Sequence, residues 1–277
     1  MKRNCDMPDK SQRHVMAIVN VTDDSFYSTS RTYDSSSVAK RVEQALREGA
    51  TILDIGGYSS RPGAVDISVE EEWRRVRMGL SVVRNLTFDI PISIDTFRSE
   101  VVLRAVEEFG PVIINDITAG EADDNILEVA SKYSLPYVAM HMRGTPQTMQ
   151  QITNYPEGVV NEVYKYFAKR CAELRERGVK DIVLDVGFGF AKSLEQNYEL
   201  LAGLKRMEDF GYPLLVGLAR KSMIYKALGS DPEGALAGTA ALHWEALRGG
   251  ATILRVHDVK EAADVIRLFS IYEKCII

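Results

Sequence analysis

The chain has 277 residues, of which 45% are hydrophobic and 26% charged. That make-up belongs to a globular protein, not to a disordered or fibrous one. A net charge of −5 offers no basic face for a nucleic-acid backbone, and no uncharged apolar stretch reaches the ~20 residues of a membrane span, so neither nucleic acid nor membrane is expected as a partner. Cys5, Cys171 and Cys275 are scattered, without metal or redox spacing. They read as reduced thiols, and MKRNCDMPDKSQR lacks a secretory apolar core; both point to a cytoplasmic setting.

Residues 1–13 read as a flexible polar lead-in, followed by one domain over 14–277. HVMAIVN predicts a first strand at 15–20. The polar loop 22–37 leads through Asp34-Ser35, a helix cap, into a helix at 36–48. A strand at 51–55 precedes GGYSSRPGAVD, and Ser68-Val69-Glu70-Glu71 has the form of a capping box for a helix to 86. Strands at 91–95 and 111–115 alternate with helices at 98–109 and 123–133. A strand at 136–141 is followed by a long polar loop and a helix at 157–176. Next come a strand at 181–185, a helix at 194–203, a strand at 213–217 and a helical turn at 220–228. Asp231-Pro232 opens a helix over 232–248, before a last strand at 251–256 and a helix at 258–273.

Eight strand–helix units with no linker and no repeat predict a single (β/α)8 TIM barrel, with its active site at the C-terminal ends of the strands. An open doubly wound sheet is the competing closure. It lacks its dinucleotide fingerprint, because the first strand runs into NVTDDS.

Polar groups recur at the strand ends. Arg255 and His257 stand two apart at the end of the last strand and so face one side, where barrels often bind phosphate. Guanidinium and imidazole both suit a polyanion, and Asn20 on the neighbouring first strand could add an amide or an oxygen ligand for a divalent cation. The plainer role for Arg255 is a partner for Asp54 or Asp258. Asp95, Asn115, Asp185 and Lys221 would point into the upper barrel. Burying them unpaired costs ~2–7 kcal/mol each, so they must meet each other or a ligand. Their donors and acceptors match the edge of a 2-amino-4-oxopyrimidine ring. A closed Asp185–Lys221 pair is the plainer alternative. Pro62 and Phe190 could sandwich a ring, and Ser222 could meet a carboxylate. No Ser or Cys is paired with a His base. His141 reads as a strand-end hydrogen bonder, and His14 and His243 as structural.

From IVNVTDDSF at 18–26 through DIGGYSSRPGA, ISIDTFRSEV, INDITAG, MHMRGTP, LDVGFGFAK and VGLARKSMI to the final LRVHDV, the chain resembles the dihydropteroate synthases, folate-pathway enzymes inhibited by sulfonamides. The resemblance covers roughly 14–270. It implies a homodimeric barrel that condenses 6-hydroxymethyl-7,8-dihydropterin diphosphate with 4-aminobenzoate. It implies pterin contacts from Asp95, Asn115, Asp185 and Lys221, and diphosphate contacts from Asn20, Arg61, Arg255 and His257. Mg2+ would sit near Asn20. Ser60, Arg61, Pro62, Phe190, Lys221 and Ser222 would surround aminobenzoate, and Asp95, Lys221, Arg255 and His257 would serve catalysis. The chain departs from the family pattern in its first loop, where Ser28 replaces an aspartate, and at Tyr58, Ser60 and Ala219. A barrel that presents methyltetrahydrofolate to a corrinoid protein, and a non-catalytic pterin binder, are the alternatives; the first would not need RKS or RVH.

Overall fold

Each of the eight apolar runs becomes a parallel strand, and the strands pair in chain order until the last meets the first. The computed structural model describes residues 12–22, 35–60, 65–87, 89–145 and 148–275. The strands are β1 (His14–Asn20), β2 (Ile52–Gly56), β3 (Ile92–Asp95), β4 (Ile113–Asp116), β5 (Tyr137–Met140), β6 (Ile182–Asp185), β7 (Leu214–Val216) and β8 (Ile253–Val256). Between them run α1 (Ser35–Glu48), α2 (Val69–Leu86), α3 (Ser99–Phe109), α4 (Asn125–Tyr133), α5 (Val159–Glu176) and α6 (Leu194–Ala202). After β7 come the single turn α7 (Ser222–Tyr225) and α8 (Leu236–Arg248), and α9 (Val259–Glu273) closes the chain. The closed barrel excludes the open doubly wound sheet.

Successive strand residues face opposite sides, and here both sides are dry. Outward residues such as Val15, Leu53, Ile94 and Ile114 pack under the helices. Inward ones (Met16, Ile52, Ile113, Val138, Val183, Leu215 and Ile253) form a separate plug inside the barrel. Burying a side chain of this kind stabilises by ~1.5–3 kcal/mol. Two positions further along those same strands stand Ile18, Asp54, Asn115, Met140, Asp185, Gly217 and Arg255. The strand period therefore places the polar layer directly above the apolar one, at the C-terminal mouth.

Helix ends follow local chemistry. Ser68 accepts a hydrogen bond from the Glu71 amide at 3.2 Å, one half of the expected capping box, while the Glu71 carboxylate turns to Arg74 and Arg75. A complete capping box, Ser193 with Gln196, stands at the start of α6, where the sequence reading named no cap. The helix expected from 232 starts later. Asp231 accepts from the Gly234 amide and shapes a 3-10 turn at Glu233–Ala235, so α8 begins at Leu236. Lys221 is the N-cap residue at the start of α7, within the helical turn expected over 220–228. Residues 1–11 of the expected lead-in, and Asp34, lie outside the described residues. Arg13 at the lead-in's end is anchored: it pairs with Glu273 at 2.6 Å and lies over the Phe269 ring.

Candidate active site

Asp54 is the hub of the mouth. It is fully buried on β2, where Ile52 and Gly56 share its inward face. Arg255 Nε donates to Asp54 Oδ2 at 2.7 Å, and Asn115 Nδ2 donates to the same oxygen at 3.2 Å. The Arg255 Nη2 donates to Asp95 Oδ2 at 2.5 Å. Asn115, Asp54, Arg255 and Asp95 thus form one connected network across β4, β2, β8 and β3. The plainer expectation for Arg255 was half right: Asp54 is its partner, while Asp258 takes Arg220 at 2.7 Å. With Nε and Nη2 committed, Arg255 keeps its other amino group for a ligand, and its side chain is 20% exposed.

The second half of the mouth is the 187–190 turn after β6. Gly187 and Gly189 have φ of +67° and +81°, a region open to glycine. A Cβ on Gly187 would overlap the His141 carbonyl, so glycine lets the turn lie against β5. Asp185 Oδ1 accepts from the Gly187 amide at 2.8 Å. Lys221 Nζ donates to Phe188 O at 2.5 Å and lies 4.8 Å from the Phe190 ring centre. The closed Asp185–Lys221 pair is therefore not formed, although each perturbs the other. Lys192, only 4% exposed, contacts Gly187 O, Phe190 O and His141 Nδ1, each at 3.0 Å. His141 is a strand-end hydrogen bonder, as expected. His14 and His243 are buried.

An apolar wall completes the mouth: Met140, Ile117, Met142, Met149 and Ala191 cluster, with Phe97 and Phe190 packed against them. Asn20 ends β1 beside Gly56. A Cβ on Gly56 would sit 3.4 Å from Asn20 Oδ1 and 3.8 Å from Asp95 Oδ2, so the missing side chain leaves a gap between two oxygen donors. Ser60 and Ser222 are half-buried, and His257 is exposed just beyond β8. Arg61 and Pro62, together with the loop carrying Ser28, lie outside the described residues.

Burial sets the electrostatics. It pushes the Asp95 carboxyl up to about 7 against the pull of Arg255, and raises Asp185 against Lys221. It lowers Lys221 to about 8 and Lys192 to about 7, opposed in both by Asp185. Burial, then Lys192, holds His141 well below the usual imidazole value, so it is a neutral hydrogen-bonding group. The mouth therefore presents a carboxyl and two amines poised near neutrality, a cation with one free face, and an apolar wall. That suits a flat polar heterocycle joined to an anion. Sequence reasoning passed over Asp54 and Lys192 as site residues. Asp54 was legible as the inward neighbour of Ile52; Lys192 sits in a loop, where no periodicity marks direction.

The chain matches the family described as pterin binding enzyme over residues 16–257. It is 42% identical over 263 residues to the dihydropteroate synthase of Haemophilus influenzae, covering 94% of each chain. It is 43% identical over 265 residues to that of Escherichia coli, covering 94% of this chain and 92% of the relative. Its fold matches a Yersinia pestis dihydropteroate synthase in complex with a sulfonamide drug, with TM-score 0.90, 34% identity and 99% of both chains covered. It also matches a Xanthomonas albilineans dihydropteroate synthase with 4-aminobenzoic acid, with TM-score 0.87, 35% identity and 98% and 97% covered. The strand-end groups, the two-layered barrel interior and these likenesses agree: the chain belongs to the pterin-binding enzymes and, within them, to the dihydropteroate synthases, which are transferases.

Proposed function

We propose that the mouth binds 6-hydroxymethyl-7,8-dihydropterin diphosphate and 4-aminobenzoate and joins them into 7,8-dihydropteroate. The observation that carries this reading is the Asn115–Asp54–Arg255–Asp95 network beside Asp185 and Lys221. In it, Asp185, Asn115 and Lys221 read the pterin edge. Asp95 holds negative charge beside the exocyclic methylene. The free face of Arg255, with Asn20 and His257, meets the diphosphate, and Arg61 joins them. Phe190 and Pro62 flank the aminobenzoate ring, and Ser60, Arg61, Lys221 and Ser222 take its polar end.

The C–O bond to diphosphate breaks, leaving a methylene cation conjugated with the pterin. The aniline nitrogen attacks, a C–N bond forms, and the amine loses one proton. No protein nucleophile is needed; the work is stabilising the leaving group and the cation. Asp95, Lys221, Arg255 and His257 carry it.

Among the described residues no three His, Cys, Asp or Glu side chains gather as a metal site. The Asn20 side-chain oxygen facing the Gly56 backbone suits a hard cation such as Mg2+ that takes its other ligands from phosphate and water. Bound there through Asn20, it would neutralise diphosphate charge.

Exposed Leu194, Tyr198 and Leu228 on the α6–α7 side support a homodimer. Unpaired thiols at Cys171 and Cys275 support a cytoplasmic setting. Purified protein given both substrates and Mg2+ should release one diphosphate per dihydropteroate, dependent on aminobenzoate. Pterin binding without turnover would favour a non-catalytic relative.

A further inference from the structure

Six of the eight backbone groups of the 187–190 turn are held by named partners. Asp185 takes the Gly187 amide and Asn197 Oδ1 takes the Gly189 amide at 2.7 Å. Lys221 holds Phe188 O, and Phe190 N donates to Gly187 O at 3.1 Å. Lys192 holds Gly187 O and Phe190 O together. Two lysines thus grip one turn through different carbonyls. Lys192 is the one with no exposed face, and its third contact, His141 Nδ1, ties the turn to β5. As an ammonium Lys192 donates to His141 Nδ1, and as a neutral amine it accepts from it, so the contact holds in either protonation state.

We propose that Lys192 is a positioning residue: it clamps the 187–190 turn to His141, so that Phe190 is presented to the second substrate and Phe188 O holds Lys221 in place. The substrate assignment rests on the function proposed above; the clamp itself does not. A lysine fits because its single terminal nitrogen can make three hydrogen bonds from one point, and two carbonyls and an imidazole converge on that point. Buried carbonyls left without it would each lose a partner, and the turn would gain freedom that must be lost again when the aminobenzoate ring stacks.

The test uses Lys192→Met and Lys192→Gln in the full-length protein. Amide hydrogen exchange at Gly189 and Phe190 should speed up at least about tenfold in Lys192→Met, with β6 unchanged, and less in Lys192→Gln, which retains a donor. In turnover, KM for aminobenzoate should rise about tenfold while KM for the pterin diphosphate changes less than about threefold. In a Phe190→Ala background the aminobenzoate effect should vanish, because both changes remove the same contact. Unchanged protection of the turn overturns the clamp. Equal losses for both substrates, additivity with Phe190→Ala, or failure of both variants to fold would assign Lys192 to general stability. An inactive parent protein would refute the proposed function, yet exchange would still decide the clamp.

Discussion

Replacing Arg255 by Met removes the cation that Asp54 and Asp95 share. Asp54 has no exposure and would keep only the Asn115 amide. Asp95, 19% exposed, would lose its 2.5 Å partner. Breaking a buried ion pair by deleting one member costs ~3–5 kcal/mol. The partial exposure of Arg255 and Asp95 lets water enter, which brings the expected loss to ~2–4 kcal/mol at pH 8. The sign of the pH dependence is fixed. Burial has already raised Asp95 to about 7 from an ordinary 3.8. Its stabilising share is complete below the unfolded value and is lost as pH rises through the folded one. Without Arg255 the Asp95 carboxyl rises further, so its protonation relieves more of the deficit in the variant. Urea unfolding at pH 8 and pH 5.5 measures it, and the deficit should shrink by at least ~1 kcal/mol at the lower pH. A deficit below ~1 kcal/mol at pH 8, or one equal at both pH values, would show that Arg255 does not neutralise buried carboxylates.

Asp185→Asn should weaken binding of a pterin ligand by ~1.5–3 kcal/mol, the scale for a hydrogen bond to a charged group, and aminobenzoate binding by less; equal losses by calorimetry would make Asp185 structural. Tyr137→Phe removes the hydroxyl that donates to buried Asp116 at 2.6 Å and should cost ~1–3 kcal/mol in chemical denaturation without changing KM for either substrate; a KM shift would place the pair in the site. The kcat/KM for the pterin diphosphate should be bell-shaped, falling below about pH 7 as Asp95 protonates and above about pH 8 as Lys221 loses its proton; a flat profile from pH 6 to 9 would remove both from the reaction.

The barrel was legible because parallel strands buried on both faces read as continuous apolar runs, and eight of them alternate with helix-length segments. The mouth was legible for a related reason. Asn115, Asp185 and Arg255 follow Ile113, Val183 and Ile253 by two positions, so the strand period alone sends them inward above the plug. Boundaries moved where capping decided them, as at Leu236.

By itself, the sequence determined which strand side chains reach the mouth, because the alternation along a strand is local and does not depend on the partner. Only the closed barrel decided how those side chains pair. Arg255 meets Asp54 across 201 positions and Asp95 across 160. Lys192 finds His141 across 51. Such partners are chosen by the register and curvature of the whole sheet, and by burial that leaves each charge no alternative to a neighbour.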